Sequence, residues 1–91
     1  MDKAEYENLI AEFLEGALSV EDFRSAFFQH FKREGDLDQS VFLVLDRLFG
    51  DLDNFTTDAE LLRERPEFYI GLAELRARAS ATLEQLKESR P

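Results

Sequence analysis

Residues 34–60, EGDLDQSVFLVLDRLFGDLDNFTTDAE, combine the most apolar run of the chain with a cluster of carboxylates. The apolar run extends from Val41 to Leu45 and is followed by Leu48 and Phe49. A single base, Arg47, lies within the segment. The acidic side chains are Glu34, Asp36, Asp38, Asp46, Asp51, Asp53, Asp58 and Glu60. We therefore expect this segment to supply both a core helix and a strongly negative surface.

The middle of this segment predicts a helix over residues 39–49. Its apolar side chains cover most of the helix circumference, which is typical of a helix packed centrally among others. Asp38 is the expected N-cap, and Gly50 is expected to end the helix. The β-branched valines also permit a strand, but positions 42, 45 and 49 have helical spacing. Residues 51–55 show no periodicity and are predicted to be irregular.

Apolar positions at helical spacing predict three further helices. Their spans are residues 3–15, 19–33 and 72–88. Thr57 and Glu60 form a capping box for a short helix through about residue 64, before Pro66. Short connections favour antiparallel neighbours. The predicted fold is therefore all-α, an antiparallel four-helix bundle with a short extra helical turn before the last helix.

Length and composition limit the domain organisation and the location. Ninety-one residues allow one compact domain, residues 1–91. The chain has no cysteine, which excludes disulfides and thiolate zinc sites and fits a reducing compartment. The first residues lack the apolar region of a signal peptide, and no apolar run approaches the ~20 residues of a membrane span. We expect a cytoplasmic protein with no membrane partner.

The charge balance restricts the kind of partner. Twenty acidic and eleven basic residues give a formal net charge of −9. This excess argues against direct binding of nucleic acid or of an anionic membrane. Two interpretations remain open: the acids only keep the domain soluble, or they attract a basic protein.

The side chains offer little basis for catalysis. The only histidine, His30, borders the apolar stripe of the second predicted helix and is more typical of a packed residue than of a base or ligand. No glycine-rich phosphate loop is present, and the serines lie on predicted caps, helix surfaces or the tail. We expect no enzymatic activity and no cofactor.

The acids after the central helix invite two functional interpretations. Asp51 and Asp53 resemble the start of an EF-hand calcium loop, but positions 55, 56 and 62 depart from that pattern, so no dedicated metal site is predicted. Carboxylates at a helix C-terminus are locally unfavourable, which favours another use. We expect Asp53 and Asp58, and with them Asp51, to project from an irregular ridge held by Phe55 and to resemble successive phosphates of a nucleic-acid strand.

A resemblance to the colicin D immunity protein family is carried by three segments in order: LIAEFLEGALSVEDF (residues 9–23), VFLVLDRLFGDLDNF (residues 41–55) and TDAEL (residues 57–61). That family includes small immunity proteins of related bacteriocin and contact-dependent inhibition systems. The resemblance implies a four-helix antiparallel bundle that binds the nuclease domain of a cognate toxin, typically a tRNA-cleaving ribonuclease. The family's acidic residues occupy the toxin's basic cleft in place of the RNA backbone.

The resemblance also implies which acids contact the toxin. Asp53 and Asp58 match the acidic motif around position 55, and Asp51 and Glu60 flank them with a less specific match. Asp46 occupies the helical position of the motif and ranks lower, because it can serve the helix itself. We expect a 1:1 complex with a basic toxin domain. The alternatives are an acidic adaptor or dimerisation module without a toxin partner, and a weak cation binder.

Overall fold

The structure, a computed structural model, describes residues 1–88. Five helices occupy this range, in agreement with the all-α prediction of four main helices and a short extra one. They are α1 (Lys3–Leu14), α2 (Val20–Phe31), α3 (Gln39–Asp53), α4 (Ala59–Glu64) and α5 (Leu72–Glu88). The helices α1 and α3 each pack against both α2 and α5, so they lie diagonally across the bundle.

Aromatic contacts show that α1 and α2 are antiparallel. Phe13, near the end of α1, stacks on Phe23, near the start of α2, with ring centroids 4.5 Å apart. At the other end, Tyr6 meets Phe27 edge-on at 5.7 Å. The reversal occurs at Gly16, whose φ of 85° is the left-handed conformation that glycine adopts without steric cost.

The remaining neighbours are antiparallel as well. Phe31, at the end of α2, stacks on Phe42, near the start of α3, at 5.0 Å. Early in α5, Arg76 donates hydrogen bonds to carbonyl oxygens at the end of α1. Arg78 likewise reaches Asp51 near the end of α3. Each main helix therefore runs opposite to the two that it contacts.

The core is formed by one face of each main helix. Its largest fully buried side chains are Tyr6, Ile10, Phe13, Phe23, Phe27, Leu45, Leu48, Leu52, Leu75 and Leu86. Burying a side chain of this size contributes about 1.5–3 kcal/mol relative to leaving it in water. The spacing of 45, 48 and 52 follows one stripe of α3, which explains why this helix is central to the bundle.

The predicted end of α3 was wrong, because the helix continues through Gly50 to Asp53. Glycine inside a helix costs about 0.5–1 kcal/mol relative to alanine. Burial of Leu52, which is 0% exposed, outweighs that cost. Asn54 then closes the helix by donating its backbone N–H to the carbonyl oxygens of Gly50 and Asp51.

Two of the predicted caps also differ from the structure. Asp38 is the N-cap residue of α3 as predicted, but its side chain makes no capping hydrogen bond; its carboxylate accepts one from the Ser40 hydroxyl at 2.7 Å instead. Asp58, not Thr57, caps α4. The cap of α2 is as predicted, with the Ser19 hydroxyl accepting from the Asp22 backbone N–H at 3.1 Å.

Candidate functional site

The connection between α3 and α4 is fixed by backbone hydrogen bonds to Ile70. The carbonyl oxygen of Asn54 accepts from the Ile70 N–H at 3.0 Å, and the Thr56 N–H donates to the Ile70 carbonyl oxygen at 3.0 Å. Phe55, between them, is half-buried and packs against the core. Ile70 is itself buried. Residues 54–56 are therefore anchored to the bundle, and the acids on either side of them have a rigid support.

Asp58 lies at the N-terminus of α4 and serves as its cap. One carboxylate oxygen, Oδ1, accepts hydrogen bonds from the N–H groups of Glu60 at 2.9 Å and Leu61 at 3.3 Å. The backbone N–H of Asp58 donates in turn to the Thr56 hydroxyl at 3.1 Å. The side chain is exposed, so the cap holds one negative charge in a defined position at the surface.

Asp53 and Glu60 are both exposed but differ in their surroundings. Asp53 is the last residue of α3, and within residues 1–88 it takes part in no ion pair. Glu60 lies 3.9 Å from Arg63 Nη2, and both side chains are about three-quarters exposed. Ion pairs of that kind contribute little. Both carboxylates are therefore accessible to a partner.

Asp51 is placed differently from the other acids, because it is buried between α3 and α5. Its Oδ1 lies 2.7 Å from Arg78 Nη1, and its side chain is only 12% exposed. The Nε of Arg78 also donates to Glu74 at 3.0 Å. These two hydrogen bonds, the first of them to Asp51, raise the pKa of the Arg78 guanidinium. The principal contact of Asp51 is thus an internal one that joins two helices.

Asp46 lies on the exposed side of α3. Asp53 follows seven residues later, so the two carboxylates share one face of the helix about 10.5 Å apart along its axis. Within the described part of the chain Asp46 forms no ion pair. The structure thus places these two acids together on α3, with Asp58 and Glu60 at the start of α4.

Another acid of the 34–60 segment is used inside the protein. Glu34 is half-buried and accepts a hydrogen bond from the Met1 ammonium group at 2.8 Å. This hydrogen bond raises the pKa of the ammonium group above its usual 8.0. Burial, followed by the neighbouring Glu34 charge, raises the pKa of the Tyr6 hydroxyl. Glu34 is therefore part of the packing between α1 and the α2–α3 connection.

Two features of this region were not predicted from the sequence. One is the Asp51–Arg78 contact, which joins residues 27 positions apart. The other is the exposure of Phe42 and Leu43, which were predicted as part of the apolar run but are 36% and 56% exposed. The sequence signal for the second feature was their position three and four residues before Asp46 on the polar side of the helix.

The described residues limit some kinds of chemistry. Within residues 1–88 no three histidine, aspartate or glutamate side chains are arranged to hold a metal ion. In the same range no helix combines the length and the apolar character needed to cross a bilayer. The arrangement of exposed, positioned carboxylates is suited to contact with a cationic surface.

Comparison with known proteins identifies the family. The family model described as bacterial self-protective colicin-like immunity matches residues 1–86. The comparisons with curated proteins and with solved structures gave no match. The family match extends over almost the whole chain and favours toxin binding over an adaptor without a toxin partner. The chain therefore belongs to the family of bacterial colicin-like immunity proteins, and it is an immunity protein that binds a toxin.

Proposed function

We propose that this immunity protein inhibits a nuclease toxin, of the tRNA-cleaving ribonuclease class, by acidic mimicry of the RNA backbone. Asp53 and Asp58 would enter the basic active-site cleft, with Glu60 and Asp46 contacting its rim. The observation that carries the proposal is the pair of exposed carboxylates at 53 and 58 on either side of an anchored connection. The complex is 1:1 and forms in the cytoplasm, where the tRNA substrate lies.

Charge supports this choice of partner. A ribonuclease cleft must be basic to hold its polyanionic substrate. A domain with a net charge of −9 is attracted to such a cleft and repelled by RNA itself. This attraction raises the association rate and is screened beyond about 8 Å at physiological salt. Substrate and inhibitor would compete for the same cationic side chains.

Rigidity supports the choice of residues. Asp58 is held by its two capping hydrogen bonds, and the connection before it is anchored at Ile70. Five residues of chain limit the separation of the Cα atoms of Asp53 and Asp58 to at most ~18 Å. Groups that are already ordered lose less conformational entropy on binding. Two charges carried on an anchored backbone are therefore a better substitute for phosphates than charges on a mobile loop.

Asp51 belongs to the proposed site mainly as a positioning residue. Its carboxylate joins the end of α3 to Arg78 of α5, and this contact holds the turn of helix that carries Asp53. We predict that substitution of Asp51 acts on stability first and on toxin binding only through it.

The test uses substitutions that remove charge and keep the local structure. Asp58→Asn preserves the cap, because asparagine and aspartate are comparable N-caps. Asp53→Asn removes the charge at the end of α3. The matched control is Glu12→Gln, an exposed acid on α1, across the bundle from α3. Binding is measured by calorimetry with the cognate toxin domain, and inhibition is measured as tRNA cleavage.

We expect the double variant Asp53→Asn/Asp58→Asn to bind the toxin domain at least tenfold more weakly and no longer to inhibit tRNA cleavage. The loss of affinity relative to the unsubstituted protein should become smaller as salt is raised from ~0.1 to ~0.5 M. Glu12→Gln should change the affinity less than about twofold. Equal affinities of the double variant and the control, with the helical circular dichroism intact, would refute acidic mimicry at these positions. A toxin domain without nuclease activity would refute the assigned toxin class.

A further inference from the structure

The exposed side of α3 carries apolar as well as acidic residues. Phe42, Leu43, Asp46 and Asp53 lie within an arc of about 100° around the helix axis and extend about 17 Å along it. We call these four residues the α3 outer face. The buried stripe of the same helix, which includes Leu45, lies on the other side. All four residues of the α3 outer face are exposed, although the Phe42 ring also contacts α2.

Phe42 is a fixed aromatic side chain with one accessible face. Its ring stacks on the buried ring of Phe31, with centroids 5.0 Å apart and an interplanar angle of 23°. The residue nevertheless remains 36% exposed. An aromatic ring that is already held by a neighbour loses little rotamer freedom when a partner covers it. Aromatic residues, phenylalanine among them, are enriched in the buried cores of protein–protein interfaces.

Leu43 is more exposed than Phe42, at 56%. A single exposed leucine is common on protein surfaces and has no functional meaning by itself. Here it lies beside an exposed phenylalanine and near Asp46, a carboxylate without an ion pair in residues 1–88. The α3 outer face thus combines two neighbouring exposed apolar side chains with carboxylates that have no ion pair within residues 1–88.

The other large exposed apolar residues lie away from the α3 outer face. In the described range the large exposed apolar side chains outside α3 are Phe68 and Leu72. Phe68 packs edge-on against Tyr69 at 5.0 Å, in the connection between α4 and α5. Leu72 is the first residue of α5. Leu72 therefore provides a matched control, an exposed leucine of similar accessibility outside the α3 outer face.

We propose that the α3 outer face is a docking surface for the toxin domain, in which Phe42 and Leu43 insert into apolar sites beside the toxin's basic cleft. Asp46 and Asp53 meet lysine or arginine side chains at the rim of the same contact. The complementary charge selects a cationic protein as the occupant, and the apolar pair slows its dissociation. This inference rests on the proposed function, because Asp53 joins the acidic site to the docking surface.

The two parts of the contact respond differently to salt. Screening weakens the attraction between exposed charges, whereas burial of apolar side chains does not depend on it. The acids should therefore act mainly on the association rate and lose their effect at high salt. The apolar pair should act mainly on the dissociation rate at every salt concentration.

The experiment compares Leu43→Ala with Leu72→Ala by measuring the kinetics of their binding to the immobilised cognate toxin domain. Both leucines are about half exposed, so neither substitution should disturb folding. We expect Leu43→Ala to raise the dissociation constant at least tenfold, through faster dissociation, at both ~0.1 and ~0.5 M salt. Leu72→Ala should leave it within about twofold of the unsubstituted protein. Phe42→Ala should show the same kinetic effect as Leu43→Ala.

The outcomes separate this inference from the proposed function. The docking surface would be overturned if the affinities of Leu43→Ala and Leu72→Ala for the toxin domain agreed within twofold. In that case, weakened binding of Asp53→Asn/Asp58→Asn would still support mimicry. Conversely, a strong effect of Leu43→Ala with no effect of the acidic variants would support the apolar part of the docking surface, and it would refute both mimicry and the contact assigned to Asp53. Thermal melts followed by circular dichroism show whether each variant is folded.

Discussion

Neutralising two acids only two positions apart should change stability in opposite directions. Asp51 and Asp53 both lie in the last turn of α3, where the helix dipole disfavours negative charge. Asp51 is compensated by Arg78 at 2.7 Å, whereas Asp53 is exposed and takes part in no ion pair within residues 1–88. We predict that Asp51→Asn destabilises the protein and that Asp53→Asn slightly stabilises it.

The magnitudes follow from exposure and geometry. A hydrogen bond to a charged group contributes about 1.5–3 kcal/mol, and pairs in contact with water contribute less. The side chain of Asp51 is 12% exposed but that of Arg78 is 45% exposed, and Arg78 keeps Glu74 as a second partner. We therefore expect Asp51→Asn to cost about 1 kcal/mol. Removing the unfavourable charge of Asp53 should contribute about 0.3–0.5 kcal/mol of stability.

Urea denaturation and thermal melts measure both effects. A change of 1 kcal/mol shifts the Tm of a domain of this size by roughly 4–8 °C. Asp51→Asn should therefore lower the Tm by about that amount, and Asp53→Asn should raise it by about 1–3 °C. A double-mutant cycle that combines Asp51→Asn with Arg78→Ala should give a coupling free energy of about 1 kcal/mol between the two side chains.

The same variants separate the internal contact from the toxin contact. At a temperature where both are fully folded, Asp53→Asn should weaken toxin binding and Asp51→Asn should not. A coupling free energy near zero would refute the structural role assigned to the Asp51–Arg78 pair. Weaker binding of folded Asp51→Asn than of Asp53→Asn would show that Asp51 contacts the toxin directly.

Three further predictions concern stability. Gly50→Ala should raise the free energy of unfolding by about 0.5–1 kcal/mol, because position 50 lies inside a helix and an added Cβ would meet open space. Gly16→Ala should instead lower the free energy of unfolding by about 1 kcal/mol or more, because Gly16 has a φ of 85°. Urea denaturation measures both changes. Leu45→Ala should cost about 2–5 kcal/mol, measured in the same way, because the side chain is completely buried; a smaller loss would mean that the core collapses around the gap. The hydrogen bond to Glu34 raises the pKa of the Met1 ammonium group, so its contribution to stability is complete below pH 8.0 and is lost as pH rises through the folded-state pKa. The Tm should therefore fall as pH rises above 8, and a Glu34→Gln variant should show a smaller fall.

Several properties followed from the sequence because they depend on neighbours along the chain. The apolar spacing in residues 3–15 and 19–33 predicted two helices whose buried faces include Phe13 and Phe23. The Ser19 cap was predicted for the same reason, since its hydrogen-bond partner is only three residues away. Charge and the absence of cysteine are direct properties of the composition.

Local rules were insufficient where a longer contact competed with them. Gly50 was expected to end α3, but burial of Leu52 in the core extends the helix to Asp53. Thr57 and Asp58 are both acceptable caps by sequence, and the structure selects Asp58, whose carboxylate reaches two N–H groups. In each case the difference between the competing local states is about 1 kcal/mol, so packing against the rest of the bundle outweighs it.

The amino-acid pattern alone thus specified an acidic helical bundle, because helix periodicity, caps and net charge are properties of neighbouring residues or of the whole composition. It could not separate Asp51 from Asp53, because the residue that neutralises Asp51 lies 27 positions later on α5. It also could not separate the exposed Phe42 from the buried Leu45 in one apolar run. Which acids and which apolar side chains remain accessible to a toxin depends on how α3 is oriented against α2 and α5, and that orientation is set by packing.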